Sequence, residues 1–74
     1  MRTETALPAA LPQLHCVKPG LYRSTDGRVE IRMEADAWGL HRRWVVLLDD
    51  VHQATREAFR AARSYARRVG LIAN

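Results

Sequence analysis

Leu21-Tyr22-Arg23-Ser24-Thr25-Asp26-Gly27-Arg28-Val29-Glu30-Ile31-Arg32-Met33 holds two runs of alternating, β-prone residues divided by Asp26-Gly27. Asp-Gly between such runs marks a type I′ hairpin, because both central residues of that turn need positive φ. A two-residue loop sets Thr25 opposite Arg28, Ser24 opposite Val29, Arg23 opposite Glu30 and Tyr22 opposite Ile31. Side chains alternate across a strand, so Arg23 and Glu30 share a wet face as an ion pair, while Tyr22, Val29, Ile31 and Met33 share a buried one.

Downstream, Glu34-Ala35-Asp36-Ala37-Trp38-Gly39 breaks the alternation, and Leu40-His41-Arg42-Arg43-Trp44-Val45-Val46-Leu47-Leu48 rises into a third strand. Its unbroken apolar run, Trp44 to Leu48, predicts burial on both faces. Asp49-Asp50 ends the strand, and Asp50 with Gln53 reads as an N-cap and its capping-box partner. A long helix is expected from there to Val69. At about 100° per residue, Val51, Ala54, Thr55, Ala58, Ala62, Tyr65 and Val69 fall on one side, with Phe59, Ala61 and Ala66 on its shoulders. Gly70 suits the left-handed residue beyond a helix end, with Leu71 making the contact of a Schellman motif.

Upstream, Pro8 and Pro12 interrupt an Ala/Leu-rich stretch, and each denies its predecessor the helical region. Residues 1–15 therefore read as a flexible Pro/Ala/Leu arm, with Leu7, Leu11 and Leu14 on one apolar side, and Pro19-Gly20 opens the folded part. The expected fold is α+β: a single domain over 16–74, built as a three-stranded antiparallel β-sheet packed on one long C-terminal α-helix (β-β-β-α).

Seventy-four residues bound what such a domain can do. A chain of this size buries only about 60% of its unfolded surface, which leaves little room for a catalytic cleft with its supporting shell and favours a binding role. The formal net charge of +4 points to acidic partners. Of twelve basic residues only Lys18 is not Arg, a bias that suits bidentate recognition of phosphate or carboxylate and that a GC-rich genome would also produce. The lone Cys16 excludes an internal disulfide and fits a reducing compartment. Neither a signal-peptide core nor a membrane-length apolar run is present, so a cytoplasmic protein with no membrane partner is expected, in the host cytoplasm if phage-encoded.

Within the expected helix, Arg56, Arg60, Arg63 and Arg67 are spaced i, i+4, i+7 and i+11 and fall within an arc of about 60°, a stripe that could track phosphates. Glu57 reaching Arg60 is the one offset to their mutual repulsion. The bland reading of the same stripe is a solvated helix face. Trp38, beside Gly39 in a loop, is a candidate for stacking on bases, whereas Trp44 inside the apolar strand reads as core. Arg42 and Arg43 extend the basic surface, although neighbours in a strand point to opposite faces and only one joins any given patch. Arg23, Arg28 and Arg32 form a secondary basic face on the hairpin. His15, Cys16, His41 and His52 match no compact metal motif, and Asp49, Asp50 and His52 lack a nucleophile or third carboxylate, so neither a metal, a cofactor nor catalysis is expected.

The order of hairpin, third strand and a helix containing Ala54-Thr55-Arg56-Glu57-Ala58 resembles the three-stranded-sheet-plus-helix modules of phage and mobile-element proteins, among them the arm-type DNA-binding domains of tyrosine integrases. The likeness covers residues 18–70 and is one of layout. It implies insertion of the sheet into the major groove through Arg23, Arg28 and Arg32; the third strand, apolar on both faces, departs from that pattern. In size the chain also looks like stand-alone phage inhibitors such as anti-CRISPR proteins.

The function expected is a small basic non-catalytic module docking nucleic acid or a nucleic-acid-handling complex. The alternative is a phage-type inhibitor that docks an acidic surface of a host protein complex. One helix covers one sheet face, so Val45 and Leu47 on the other need a cover, either the arm or a second copy, and a homodimer through that face is the preferred expectation.

Overall fold

A computed structural model describes residues 10–74. Five strands precede one helix: β1 Leu14–Lys18, β2 Leu21–Ser24, β3 Val29–Ala35, β4 Arg42–Leu48, β5 Val51–Arg56 and α1 Phe59–Arg68. The strands form an antiparallel meander in the order β1-β2-β3-β4-β5. The class is α+β, but the three-stranded sheet on a long helix is corrected. Leu14 and His15, read as the end of the arm, begin β1, residues 51–56, read as helix, form β5, and the helix is ten residues long.

The helix is shortened by the turn before it. Asp49 and Asp50 both occupy the left-handed region, at φ 51° and 66°, and Leu48 pairs with Val51 across them. This is the two-residue turn whose twist matches antiparallel strands, and Asp tolerates it better than most residues. Arg28 donates to both carboxylate oxygens of Asp49, at 2.7 Å for the closest contact, and the Asp49 N–H donates to the Arg28 carbonyl at 2.8 Å. Pairing along β4 then overrides the helical periodicity of residues 51–56. Asp50 caps nothing, and Gln53 is the extra residue of a bulge opposite Val46 and Leu47.

At the other edge, Pro19 and Gly20 form the turn between β1 and β2, and Gly20 has the φ of +83° that the third residue of a type II turn requires. Leu14, placed in the arm by its sequence context, pairs with Ser24 and is buried. Leu11, expected on the same apolar side, is exposed, while Leu7 and Pro8 lie outside the described residues.

The β2–β3 register is the expected one, Tyr22 opposite Ile31 and Arg23 opposite Glu30. Its turn differs. Gly27 is left-handed but Asp26 is not, and the Gly27 N–H closes on the Ser24 carbonyl at 2.9 Å. Buried Ser24 sets this choice: its hydroxyl donates to the Asp26 carboxylate and accepts the Val29 N–H.

One sheet face, carrying Leu14, Val29, Ile31, Val46 and Ala54, is sealed by Ala62, Ala66 and Ile72. Tyr22, Trp44 and Phe59 extend it as an aromatic trio, with Tyr22 stacked on Phe59 at 4.1 Å and Trp44 edge-on to both. Gly70 and Leu71 end α1 in the expected Schellman geometry, the Gly70 N–H donating to the Arg67 carbonyl and the Leu71 N–H to that of Ala66. The chain then returns to β1. Ala73 N–H donates to the Pro12 carbonyl at 2.9 Å, while the Asn74 side chain accepts the Leu14 N–H and donates to its carbonyl.

The opposite face has no helix, yet Val45 is 6% and Leu47 7% exposed in the single chain. Arg32 and Thr55 flank Val45 across the strands, and Glu30 and His52 flank Leu47. Long stems of charged residues cover apolar neighbours while their heads stay wet, and Arg32 and Glu30 stand across the strands from the two residues for which the arm or a second copy was the expected cover. No helix among the described residues is long and apolar enough to cross a membrane.

Ile72 is fully buried beyond the helix end, so Ile72→Ala should lower unfolding free energy by about 2–5 kcal/mol in urea titration. Val69→Ala, at a half-exposed neighbour, should cost far less. A second expectation concerns acid. Hydrogen bonds from Arg28 hold the Asp49 carboxyl below its ordinary range, and the Ser24 hydroxyl does the same for Asp26. Carboxyls depressed in the folded state contribute stability that is present above their ordinary pKa and lost as pH falls through the folded value. The melting temperature should therefore drop below about pH 4, and Asp49→Asn should make that drop shallower.

Candidate functional site

Acidic partners are distributed unevenly over the cationic side chains. Every ion pair among the described residues belongs to Arg23, Arg28 or Arg32: Arg23 with Glu30 at 3.6 Å, Arg32 with Glu30 at 3.3 Å and Glu34 at 3.1 Å, and Arg28 with Asp49 at 2.7 Å. Alternating signs across β2 and β3 neutralise the secondary basic face in place. Arg28 lies in the β2–β3 turn, tied to the β4–β5 turn, and not on that face. Arg42, Arg43, Arg56, Arg60, Arg63, Arg67 and Arg68 make no ion pair among the described residues. Glu57, expected against Arg60, makes none either.

The four-arginine helical stripe is corrected at one member. Arg56 is the last residue of β5, so it does not continue the helical spacing, while Arg60, Arg63 and Arg67 remain on one exposed side of α1. Tertiary packing nevertheless brings Arg56 to the helix. Its guanidinium lies 5.0 Å from the Tyr65 ring centre, with Arg68 5.8 Å from the same ring, and Nη1 of Arg56 donates to the Thr55 carbonyl at 2.9 Å. Arg63 sits over Phe59 at 5.9 Å. An arginine held by its planar face against an aromatic ring keeps its N–H edges for a ligand.

β4 begins two residues beyond the last β5 partner, since Trp44 pairs with Arg56 and the chain leaves the sheet at Glu57. A shallow cleft of about 400 Å3 opens in that notch, lined by His41, Arg42, Arg43, Thr55, Arg56 and Glu57. Arg42 and Arg43 both line it. The rule that strand neighbours diverge holds for the faces of a sheet, and the notch is an end, reached from both faces.

Beside the notch, the β3–β4 loop carries Trp38 and Leu40, exposed to 80% and 76%. Asp36 organises it. One carboxylate oxygen accepts the N–H groups of Trp38 at 3.1 Å and Leu40 at 2.9 Å, the Asp36 carbonyl accepts the Gly39 N–H at 3.0 Å, and the Asp36 N–H donates to the His41 carbonyl at 3.1 Å. Gly39 supplies the left-handed φ of +69°. Trp44, by contrast, belongs to the core trio.

No three of His, Cys, Asp and Glu gather into a metal-binding group among the described residues. His52 bonds Thr55 at 2.7 Å on the helix-free face, away from His15 and Cys16 on β1. Leu40, Arg68 and the organising role of Asp36 escaped the linear reading. The Asp-x-x-Gly pattern of residues 36–39 was the one local signal for the loop, and Arg68 had none. No family model, curated protein or solved structure matches this chain.

Asp36→Ala removes the acceptor that orders the loop, so the amides of Trp38 and Leu40 should exchange with solvent faster by about tenfold or more, the equivalent of one lost hydrogen bond. Amides of β3 and β4 should keep wild-type protection.

Proposed function

We propose that this protein is a small non-catalytic module that binds the phosphate backbone of nucleic acid through the arginines of α1 and of the β4–β5 notch. The observation that supports this is the separation of ion pairing: among the described residues every ion pair belongs to a hairpin arginine, those of α1 and the notch make none, and the acidic groups beside the notch, Glu57 in its lining and Glu34 across from Arg43, are outnumbered by the arginines. Like-charged neighbours on a helix cost about 0.2–0.5 kcal/mol per pair, a cost that a polyanion offsets on binding. The neutralised hairpin face is the weaker candidate for groove insertion, since Glu30 and Glu34 would have to surrender Arg32 and bring two carboxylates toward phosphate. A lone thiol at exposed Cys16 fits a cytoplasmic setting.

Binding carried by four phosphate contacts should give a slope of log K against log salt of about −3.6 on duplex and about −2.8 on single strands, from roughly −0.9 and −0.7 per phosphate. Arg60→Gln with Arg63→Gln should flatten the slope by between about 1.4 and 1.8, whereas Arg23→Gln should leave it in place. A wild-type chain with no salt-sensitive binding to DNA or RNA near about 50 mM salt would remove this reading and leave the arginines to an acidic protein surface.

A further inference from the structure

We infer that the β3–β4 loop is a base-stacking platform and that the nucleic acid this module takes is single-stranded. The inference rests on the phosphate-binding reading above and adds to it the strandedness of the partner and the residue that reads it.

Two features converge on the same end of the sheet. Trp38 is the most exposed large apolar residue of the described chain, and the loop that carries it is preorganised, with both flanking turns closed by hydrogen bonds to Asp36. An aromatic ring held out on a fixed backbone loses little conformational freedom when a flat ligand covers it. The Asp36 carboxylate is tied through one oxygen to the N–H groups of Trp38 and Leu40, which fixes the loop backbone around the ring. The notch of Arg42, Arg43 and Arg56 opens at His41, three residues from Trp38, which is at most about 11 Å along an extended chain. A base on the Trp38 ring thus has cationic side chains within reach of its flanking phosphates.

Strandedness follows from geometry. In a duplex both faces of every internal base are already stacked, so an exposed ring gains a partner only by unstacking a step. In a single strand the faces are free, and stacking on an aromatic is worth a base-independent gain. Leu40, exposed beside Trp38, widens the same apolar platform.

The test uses the full chain, with a short labelled oligothymidylate, the matching duplex, heparin as a polyanion without bases, and vesicles of phosphatidylserine and phosphatidylcholine. Polarisation should show the single strand bound more tightly than the duplex, with Trp38→Ala weakening the single strand by between about 5-fold and 100-fold, the loss of one stacked base. Heparin should bind wild type and W38A alike. In a Trp44→Phe background, where Trp38 is the sole tryptophan, oligothymidylate should quench its emission; the polarisation arm stands even if that variant folds poorly. Equal affinity of W38A and wild type for the single strand overturns the inference, as does duplex bound as tightly as single strand. A blue shift of Trp38 on vesicles without quenching by oligothymidylate overturns it too and assigns the loop to a membrane surface. Each of these outcomes leaves the phosphate-binding reading intact. Failure of every nucleic acid to bind removes both.

Discussion

A ten-residue helix, about 15 Å long, has to keep one face of a five-stranded sheet dry, and the rest of the molecule is arranged around that constraint. Ala62 and Ala66 meet the sheet without bulk, which lets the helix backbone lie close over Ile31 and Val46. The aromatic trio fills the space at the helix start, and Ile72, fully buried, fills the space beyond its end. That last contact requires the chain to turn back sharply. Gly70 in the left-handed region permits the turn, and the backbone and side-chain bonds of Ala73 and Asn74 to Pro12 and Leu14 hold the returning segment against β1.

The same constraint shapes the cationic surface. To reach its place over the sheet the chain must leave β5 early, at Glu57, while β4 runs on to Arg42. The overhang creates the notch, and the crossing segment brings Arg56 onto the ring of Tyr65. Arginines distant along the chain thereby meet: Arg56 lines the notch with Arg42 and Arg43 and shares the Tyr65 ring with Arg68 of α1. On the helix-free face the opposite economy applies. Glu30 and Glu34 interleave with Arg23 and Arg32, and Arg32 and Glu30 stand directly across from buried Val45 and Leu47. One face is thus electrically quiet and dry beneath its charges, and the surface beyond it carries the uncompensated charge.

Several features were legible in the linear sequence because they are local. The pairing of Tyr22 with Ile31 and Arg23 with Glu30 follows from alternation around Asp26-Gly27. The Schellman end follows from Gly70 and Leu71, the core role of Trp44 from its apolar strand, and the exposure of Trp38 from its place beside Gly39. These are consequences of φ preference and of side-chain period, which act over a few residues.

Tertiary structure alone decided the rest. Residues 51–56 carry a helical pattern and lie in a strand, because the Asp49-Asp50 turn and its clasp by Arg28 offer β4 a ready partner, and pairing with an apolar central strand outweighs intrinsic propensity. Leu14 sits between prolines and a Pro-Gly turn and still belongs to the core, since its strand is completed by β2 on one side and by Asn74, sixty residues on, at the other. Which arginines form ion pairs and which lie against rings was likewise unreadable, since Arg28 meets its carboxylate twenty-one residues away and Arg56 its ring nine residues away. Composition and spacing determined that the chain is basic, small, α+β and built around a hairpin. Where its charge is cancelled and where it is left open depends on which strands become neighbours, a choice made by the packing of the whole sheet under its helix.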